Sequence, residues 1–186
     1  MPFKRIIIGI VGQKRVGKDT LGDFFVDQWG FQRLKFADPL KDMTRALLKS
    51  CGVEDPEPYV EGDQKEYPLH ELKGVSTRKI MQLIGHEWVQ MVDPHLWAHI
   101  WKSKVEALVN RDVVTTDVRY LHEVKVIREV GGHIIRIVRP GFENQDNHPS
   151  ESEQKLIEPD FEIVNEYTTG YLCARGESFL RDLTCK

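Results

Sequence analysis

Arg5-Ile6-Ile7-Ile8-Gly9-Ile10-Val11-Gly12-Gln13-Lys14-Arg15-Val16-Gly17-Lys18-Asp19-Thr20 is the stretch that decides how this chain folds. A run of β-branched residues reads as a buried strand, and the glycine turn after it follows the spacing G-x-x-x-x-G-K, with one residue inserted before the expected hydroxyl. Glycines let such a loop wrap closely. Its backbone N–H groups then face phosphate oxygens, and the helix that follows adds the positive end of its dipole. In that reading Lys18 reaches the β and γ phosphates, and Thr20 sets its hydroxyl near a magnesium ion or a phosphate. A chance glycine turn before a helix is the plain alternative, and the strand before it and the helical pattern after it argue against that. Asp19 is awkward, because a carboxylate beside phosphates is repelled unless it turns away, caps the helix or orders water around a metal.

Outward from this stretch, apolar runs alternate with longer helical patterns. Strands are expected at Arg5 to Val11, Phe31 to Phe36, Val113 to Val118, His133 to Val138 and Phe161 to Val164. Helices are expected to begin near Lys18, Asp38, Ser76, Pro94, Tyr120 and Gly170. This alternation predicts an α/β fold with a five-stranded parallel sheet in a three-layer arrangement. The 186 residues suit a single domain. Asp38 to Asn110 is too long for one crossover and reads as an inserted helical region, and about 140–158 reads as a short lid.

Composition narrows the function classes. A formal charge of -3 supplies no broad basic field for nucleic acid. No apolar run approaches the roughly 18 to 20 residues of a membrane span. Cys51, Cys173 and Cys185 make neither an even framework nor a Cys-x-x-Cys pair, so the cytoplasm is the expected compartment. Small anionic ligands held by local cations fit this balance.

Two further elements carry chemistry. Val113-Val114-Thr115-Thr116-Asp117-Val118-Arg119 is a strand ending in an acid and a cation, and ligands of open α/β sheets sit beyond the carboxyl ends of strands. Asp117 is thus placed to hold a metal's water shell or polarise an acceptor. Arg119 offers a planar fork to a phosphate, with Glu123 four residues later on the same helical face. A structural Asp–Arg pair is the bland alternative. From Ser76, the residues Ile80, Ile84 and Trp88 should pack inward, while Arg78, Gln82 and His86 repeat every four residues on another side. A cation, an amide and an imidazole in a row suit a nucleotide acceptor, with Gly85 where a ring comes close; taken alone, such a row is more often a solvated face. His95 and His99 share a helix face without a third metal ligand in evidence.

Together these stretches resemble the deoxynucleoside monophosphate kinases of bacteriophages, a branch of the P-loop nucleoside-monophosphate kinases. The resemblance also covers Phe36-Ala37-Asp38-Pro39-Leu40-Lys41, Gly131-Gly132-His133-Ile134-Ile135-Arg136 and His148-Pro149-Ser150-Glu151. It implies magnesium-dependent phosphoryl transfer from ATP to a deoxynucleoside monophosphate, with small nucleotides as partners and the host cytoplasm as the setting if a phage encodes it. It puts Arg15, Val16, Gly17, Lys18, Asp19 and Thr20 in the ATP site. The acceptor site takes Lys14, Phe36, Ala37, Arg78, Lys79, Gln82, Gly85, His86, Trp97, Asp117, Arg119 and Glu123, and Thr20 is the metal candidate. Lys18, Arg78, Asp117 and Arg119 are the expected catalytic groups. Several family members are dimers, so a homodimer is an expectation of the resemblance alone. Two departures stand out: His86 replaces a small hydroxyl residue, and Val16 replaces a small polar residue or glycine. The lid stretch Gly141 to Glu158 holds no arginine, leaving Arg136, Arg139 or Arg175 as candidates for that task.

Two other readings stay open from the residues. One is a P-loop kinase for a different acceptor, of the dephospho-coenzyme A or phosphomevalonate type. The other is a nucleotide-binding switch or slow ATPase.

Overall fold

A computed structural model describes residues 5–141 and 153–184. In chain order the main elements are β1 (Ile7–Val11), α1 (Lys18–Trp29), β2 (Gln32–Arg33), α2 (Asp38–Ser50), α3 (Glu57–Val60), β3 (Pro68–Leu69), β4 (Val75–Ser76), α4 (Thr77–Gln82), α5 (Val89–Val92), α6 (Leu96–Ala107), β5 (Val113–Val118), α7 (Leu121–Glu129), β6 (His133–Val138), β7 (Phe161–Val164) and α8 (Thr169–Thr184). They divide into two compact units, one of residues 1–35 and 101–186, the other of residues 36–100.

The first unit holds a five-stranded sheet in the order β2-β5-β1-β6-β7. All four strand pairings are parallel. Alternation along β1 sorts its side chains by face. Ile8 and Ile10 join Leu21, Phe25, Val114, Ile135, Leu172 and Leu180 in the core shared with α1 and α8. A Cβ on Gly9 would point the other way, to within 2.7 Å of Ile127 on α7. Helices therefore cover both faces, in a three-layer α/β arrangement.

Strand β5 carries an irregularity that bears on the site. Gly9 pairs with Thr115 but Val11 pairs with Val118, so Ile10 faces two residues, Thr116 and Asp117. One extra residue in β5 is a bulge, which locally re-aims side chains. Thr116 keeps the α1 face, while Val118, two positions on, comes within 3.1 Å of a Cβ built on Gly9, toward α7.

The second strand is shorter than Phe31 to Phe36. Only Gln32 and Arg33 pair with β5. Phe31 belongs to the end of α1, where its N–H donates to the Phe25 carbonyl and Gly30 at φ 69° accepts the left-handed turn. Beyond Leu34 the chain turns into α2, whose start is already helical at Ala37 and carries proline in the first turn.

The unit of residues 36–100 has its own small core of Leu48, Val60, Leu69 and Met81. Pro68–Leu69 and Val75–Ser76 form a two-stranded antiparallel ladder that the apolar pattern did not announce. The expected inward stripe Ile80, Ile84 and Trp88 is displaced: Thr77, Met81 and Val89 are the buried residues. The buried stripe keeps a four-residue spacing but is set one residue on from the expected one, and the segment Leu83–Trp88 between Met81 and Val89 is a π-helix.

Candidate active site

The stretch Gly12 to Thr20 folds as a loop closing on the first turn of α1. Gly17, the residue before the helix, lies in the left-handed region at φ 110°, and Arg15 does so at φ 66°. A positive φ in a non-glycine residue stores about 1–3 kcal/mol of strain and is held only by its surroundings. The Lys18 ammonium folds back over the loop and donates to the carbonyl oxygens of Gly12 and Gln13, each at 2.6 Å. Gly12 cannot be larger, because a Cβ there would stand 2.5 Å from the Ile137 carbonyl oxygen. Lys14 and Arg15 are exposed on the loop, and the Val16 side chain is sunk in the core.

Asp19 has a definite place. Its Oδ1 accepts a hydrogen bond from the Thr116 hydroxyl at 2.7 Å and pairs with the Lys35 ammonium at 3.1 Å. Burial alone would raise its pKa, but the Thr116 bond and the charges of Lys35 and Arg33 outweigh burial and hold the carboxyl below its ordinary value. The group is therefore an anion at neutral pH, tied through one oxygen. Thr116 and Lys35 were not anticipated as site residues. Both stand at the carboxyl ends of their strands, which is the one signal that pointed to them.

On the other face of β5, the Thr115 hydroxyl donates to Asp117 Oδ1 at 3.0 Å. Arg119 is exposed beyond the strand end. Glu123 does not share a helix face with Arg119, because α7 starts only at Leu121. Instead Glu123 Oε2 accepts from the backbone N–H groups of Arg119 at 2.6 Å and Tyr120 at 3.0 Å, capping the helix. Only 5% of Glu123 is exposed. Burial first, then the neighbouring Asp117 charge, pushes its pKa up to about 8, against the pull of those two N–H groups and Arg119.

Of the expected acceptor residues, Phe36, Ala37, Arg78, Lys79, Gln82, Gly85, His86 and Trp97 fall in the unit of residues 36–100, and Lys14, Asp117, Arg119 and Glu123 fall in the sheet unit. Ser76 caps α4 by accepting from the Lys79 N–H. Buried Thr77 donates to the carbonyls of Tyr59 and Lys65, anchoring the first turn. Arg78 leans out to Glu66, Nε to Oε1 at 2.9 Å. Gln82 and His86 are exposed, while Gly85 and His86 sit inside the π-helical turn. Trp97 is only 8% exposed and stacks on Trp88 with ring centres 6.0 Å apart. Its indole N–H is buried with no acceptor.

The Asp93 carboxylate takes His99 Nδ1 at 3.0 Å, and among the described residues no cluster of three His, Cys, Asp or Glu is arranged to hold a metal ion. Most of the expected lid, with His148-Pro149-Ser150-Glu151, lies outside the described residues. Of the arginines considered in its place, Arg136 donates to the backbone carbonyls of Gln154 and Ile157. Arg175 lies over the Phe161 ring at 5.0 Å, and Arg139 is exposed just past β6.

The family described as deoxynucleotide monophosphate kinase matches residues 63–175. A protein of Acanthamoeba polyphaga mimivirus, provisionally named as a deoxynucleotide monophosphate kinase, is 32% identical over 176 residues, covering 88% of this chain and 90% of its own length. The deoxynucleotide monophosphate kinase of Escherichia phage RB69 is 23% identical over 242 residues, covering 94% of this chain and 99% of its own. Among solved structures, dephospho-CoA kinase from Campylobacter jejuni superposes with a TM-score of 0.48 at 14% identity, covering 96% of each chain. With a family match over more than half of its length and a relative of this identity along nearly all of it, the chain belongs to the deoxynucleotide monophosphate kinase family.

Proposed function

We propose that this enzyme transfers the γ-phosphoryl group of ATP to a deoxynucleoside monophosphate, giving the diphosphate and ADP. An acceptor phosphate oxygen forms the new bond to the γ-phosphorus as the bond to the β–γ bridging oxygen breaks. The observation that carries the donor half is the loop from Gly12 to Gly17, closed under the Lys18 ammonium at the start of α1. Such a loop offers backbone N–H groups and one mobile cation to a triphosphate, which is what phosphoryl transfer needs: positioning and charge neutralisation, with no side-chain nucleophile.

In this reading Lys18 leaves its loop carbonyls for the β and γ phosphates, and Arg119 meets charge developing on the transferred group. Arg78 and Lys79, at the start of α4, hold the acceptor phosphate. Gln82 and His86 face the base, and Trp97 supplies an indole N–H that otherwise lacks an acceptor. The donors fit a hard divalent cation: an anionic carboxyl at Asp19 and an exposed hydroxyl at Thr20. Magnesium bound there would neutralise phosphate charge. Glu123 acts at one remove, by fixing the backbone that presents Arg119. ATP and the nucleotide acceptor belong to the cytoplasm, which we take as the compartment.

The test is an ADP-release assay with Mg-ATP and a panel of deoxy- and ribonucleoside monophosphates, each product identified as a diphosphate. At least one deoxynucleotide should be phosphorylated, and Lys18→Ala should abolish transfer. Slow hydrolysis independent of acceptor would overturn the reading in favour of a switch or an ATPase. Turnover of dephospho-coenzyme A alone would move it to another acceptor.

A further inference from the structure

We infer that Asn165 is a positioning residue for the phosphate cradle, acting by locking the orientation of the Val16–Gly17 peptide. The inference rests on reading that cradle as the donor-nucleotide site. Asn165 directly follows β7, and its backbone N–H donates to the Val138 carbonyl at 2.7 Å, so its main chain is tied to the sheet. From that anchor its side-chain Nδ2 reaches the Val16 carbonyl oxygen at 2.8 Å, 149 residues away in sequence. The same peptide is hemmed in from this side: a Cβ on Gly17 would stand 2.8 Å from Leu172 and 3.0 Å from Asn165 Nδ2.

The consequence follows from peptide geometry. No peptide here is cis, and in a trans peptide the C=O and the next N–H point in opposite directions. With the Val16 carbonyl drawn toward Asn165, the Gly17 N–H is aimed away from it. Gly17 stands immediately before α1, where N–H groups lack helical partners and serve anions. Glycine is required there because nothing larger fits, yet glycine also tolerates the flipped peptide, which would turn a carbonyl toward phosphate oxygens. Asn165 removes that second orientation. A helix-capping role does not account for it, since α8 begins at Thr169 and its first turn is served by the Thr168 hydroxyl, which accepts from the Tyr171 N–H.

The experiment pairs Asn165→Asp, which keeps the shape but puts an acceptor against the Val16 carbonyl, with Asn165→Ala, which adds no repulsion. In both, the KM for ATP and the Kd for ADP should rise about tenfold, the loss of one charge-assisted hydrogen bond. The KM for the monophosphate should hold steady, and the thermal midpoint should fall by no more than the few degrees that one hydrogen bond is worth. In 15N-labelled protein the Gly17 amide signal, shifted by ADP in the wild type, should lose that shift. An unchanged ATP KM in both variants would overturn the role, as would a parallel rise of both KM values with a falling midpoint, which marks general destabilisation. Lys18→Ala is the control: an ADP Kd unaffected by it would remove the cradle reading itself, and this inference with it.

Discussion

The Thr116 hydroxyl donates to Asp19 Oδ1 at 2.7 Å, joining the end of β5 to the first turn of α1 across 97 residues of sequence. Strand alternation puts Thr116 on the α1 face with Val114, while Asp117 lies with Thr115 on the other. The bond orients an exposed carboxylate beside the Gly12–Gly17 loop. Thr116→Val keeps the shape and deletes the donor. Steady-state assays should show kcat/KM for ATP falling about tenfold, as expected for a misdirected site group. Urea unfolding should change by no more than about 1 kcal/mol, because Asp19 stays largely in solvent.

Gly22 gives that bond its room. A Cβ there would stand 2.4 Å from the Thr116 methyl and 2.9 Å from Arg33 Nη2. Gly22→Ala should therefore destabilise the protein by about 1–3 kcal/mol, the usual cost of overpacking. A thermal melt checks that loss; because the same Cβ pushes Thr116 from its place, activity should also fall at least as far as in Thr116→Val, which the steady-state assay reads.

Glu123 predicts a pH signature. Its carboxyl titrates near 8 in the folded protein against 4.5 for an ordinary glutamate, with burial as the main cause and Asp117 adding to it. Between those values the folded state holds a proton that the unfolded state has lost, so stability falls as pH rises from about 4.5 to about 8 and levels off beyond. Glu123→Gln, neutral throughout and still able to accept from one N–H, should flatten that slope. Unfolding midpoints at pH 5, 6.5 and 8 measure it; an identical slope in the variant would place the titration elsewhere.

Arg78 separates binding from stability. Its ion pair with Glu66 is solvent-exposed, 40% and 67% for the two side chains, so losing it should shift stability by under about 0.5 kcal/mol. If Arg78 holds the acceptor phosphate, Arg78→Ala should raise the KM for the monophosphate by about tenfold or more and leave the KM for ATP nearly unchanged. Equal effects on both substrates would remove it from the acceptor site.

Local sequence determined much of this protein. The strand at Ile7–Val11, the glycine spacing and the helix starting at Lys18 follow from periodicity and turn chemistry within some twenty residues, and α/β alternation made the parallel sheet legible. Tertiary structure decided what depends on partners distant in the chain. Phe31 to Phe36 looked like a full strand, yet only two residues pair, because the end of α1 takes one side and the start of α2 the other. The buried stripe after Ser76 runs through Thr77, Met81 and Val89, one residue on from Ile80, Ile84 and Trp88, because packing against the rest of its unit, not the repeat alone, chooses the face. Arg119 and Glu123 looked like one helix face until the helix began between them. Asp19 found its partner only when β5 packed beside α1 and brought Thr116 to it, and Asn165 found Val16 only when the end of β7 came beside the Gly12–Gly17 loop. Spacing encodes geometry inside an element, where the backbone repeat fixes it. A hydrogen bond spanning 149 residues has no local pattern, since its length is set by how the strands stack side by side.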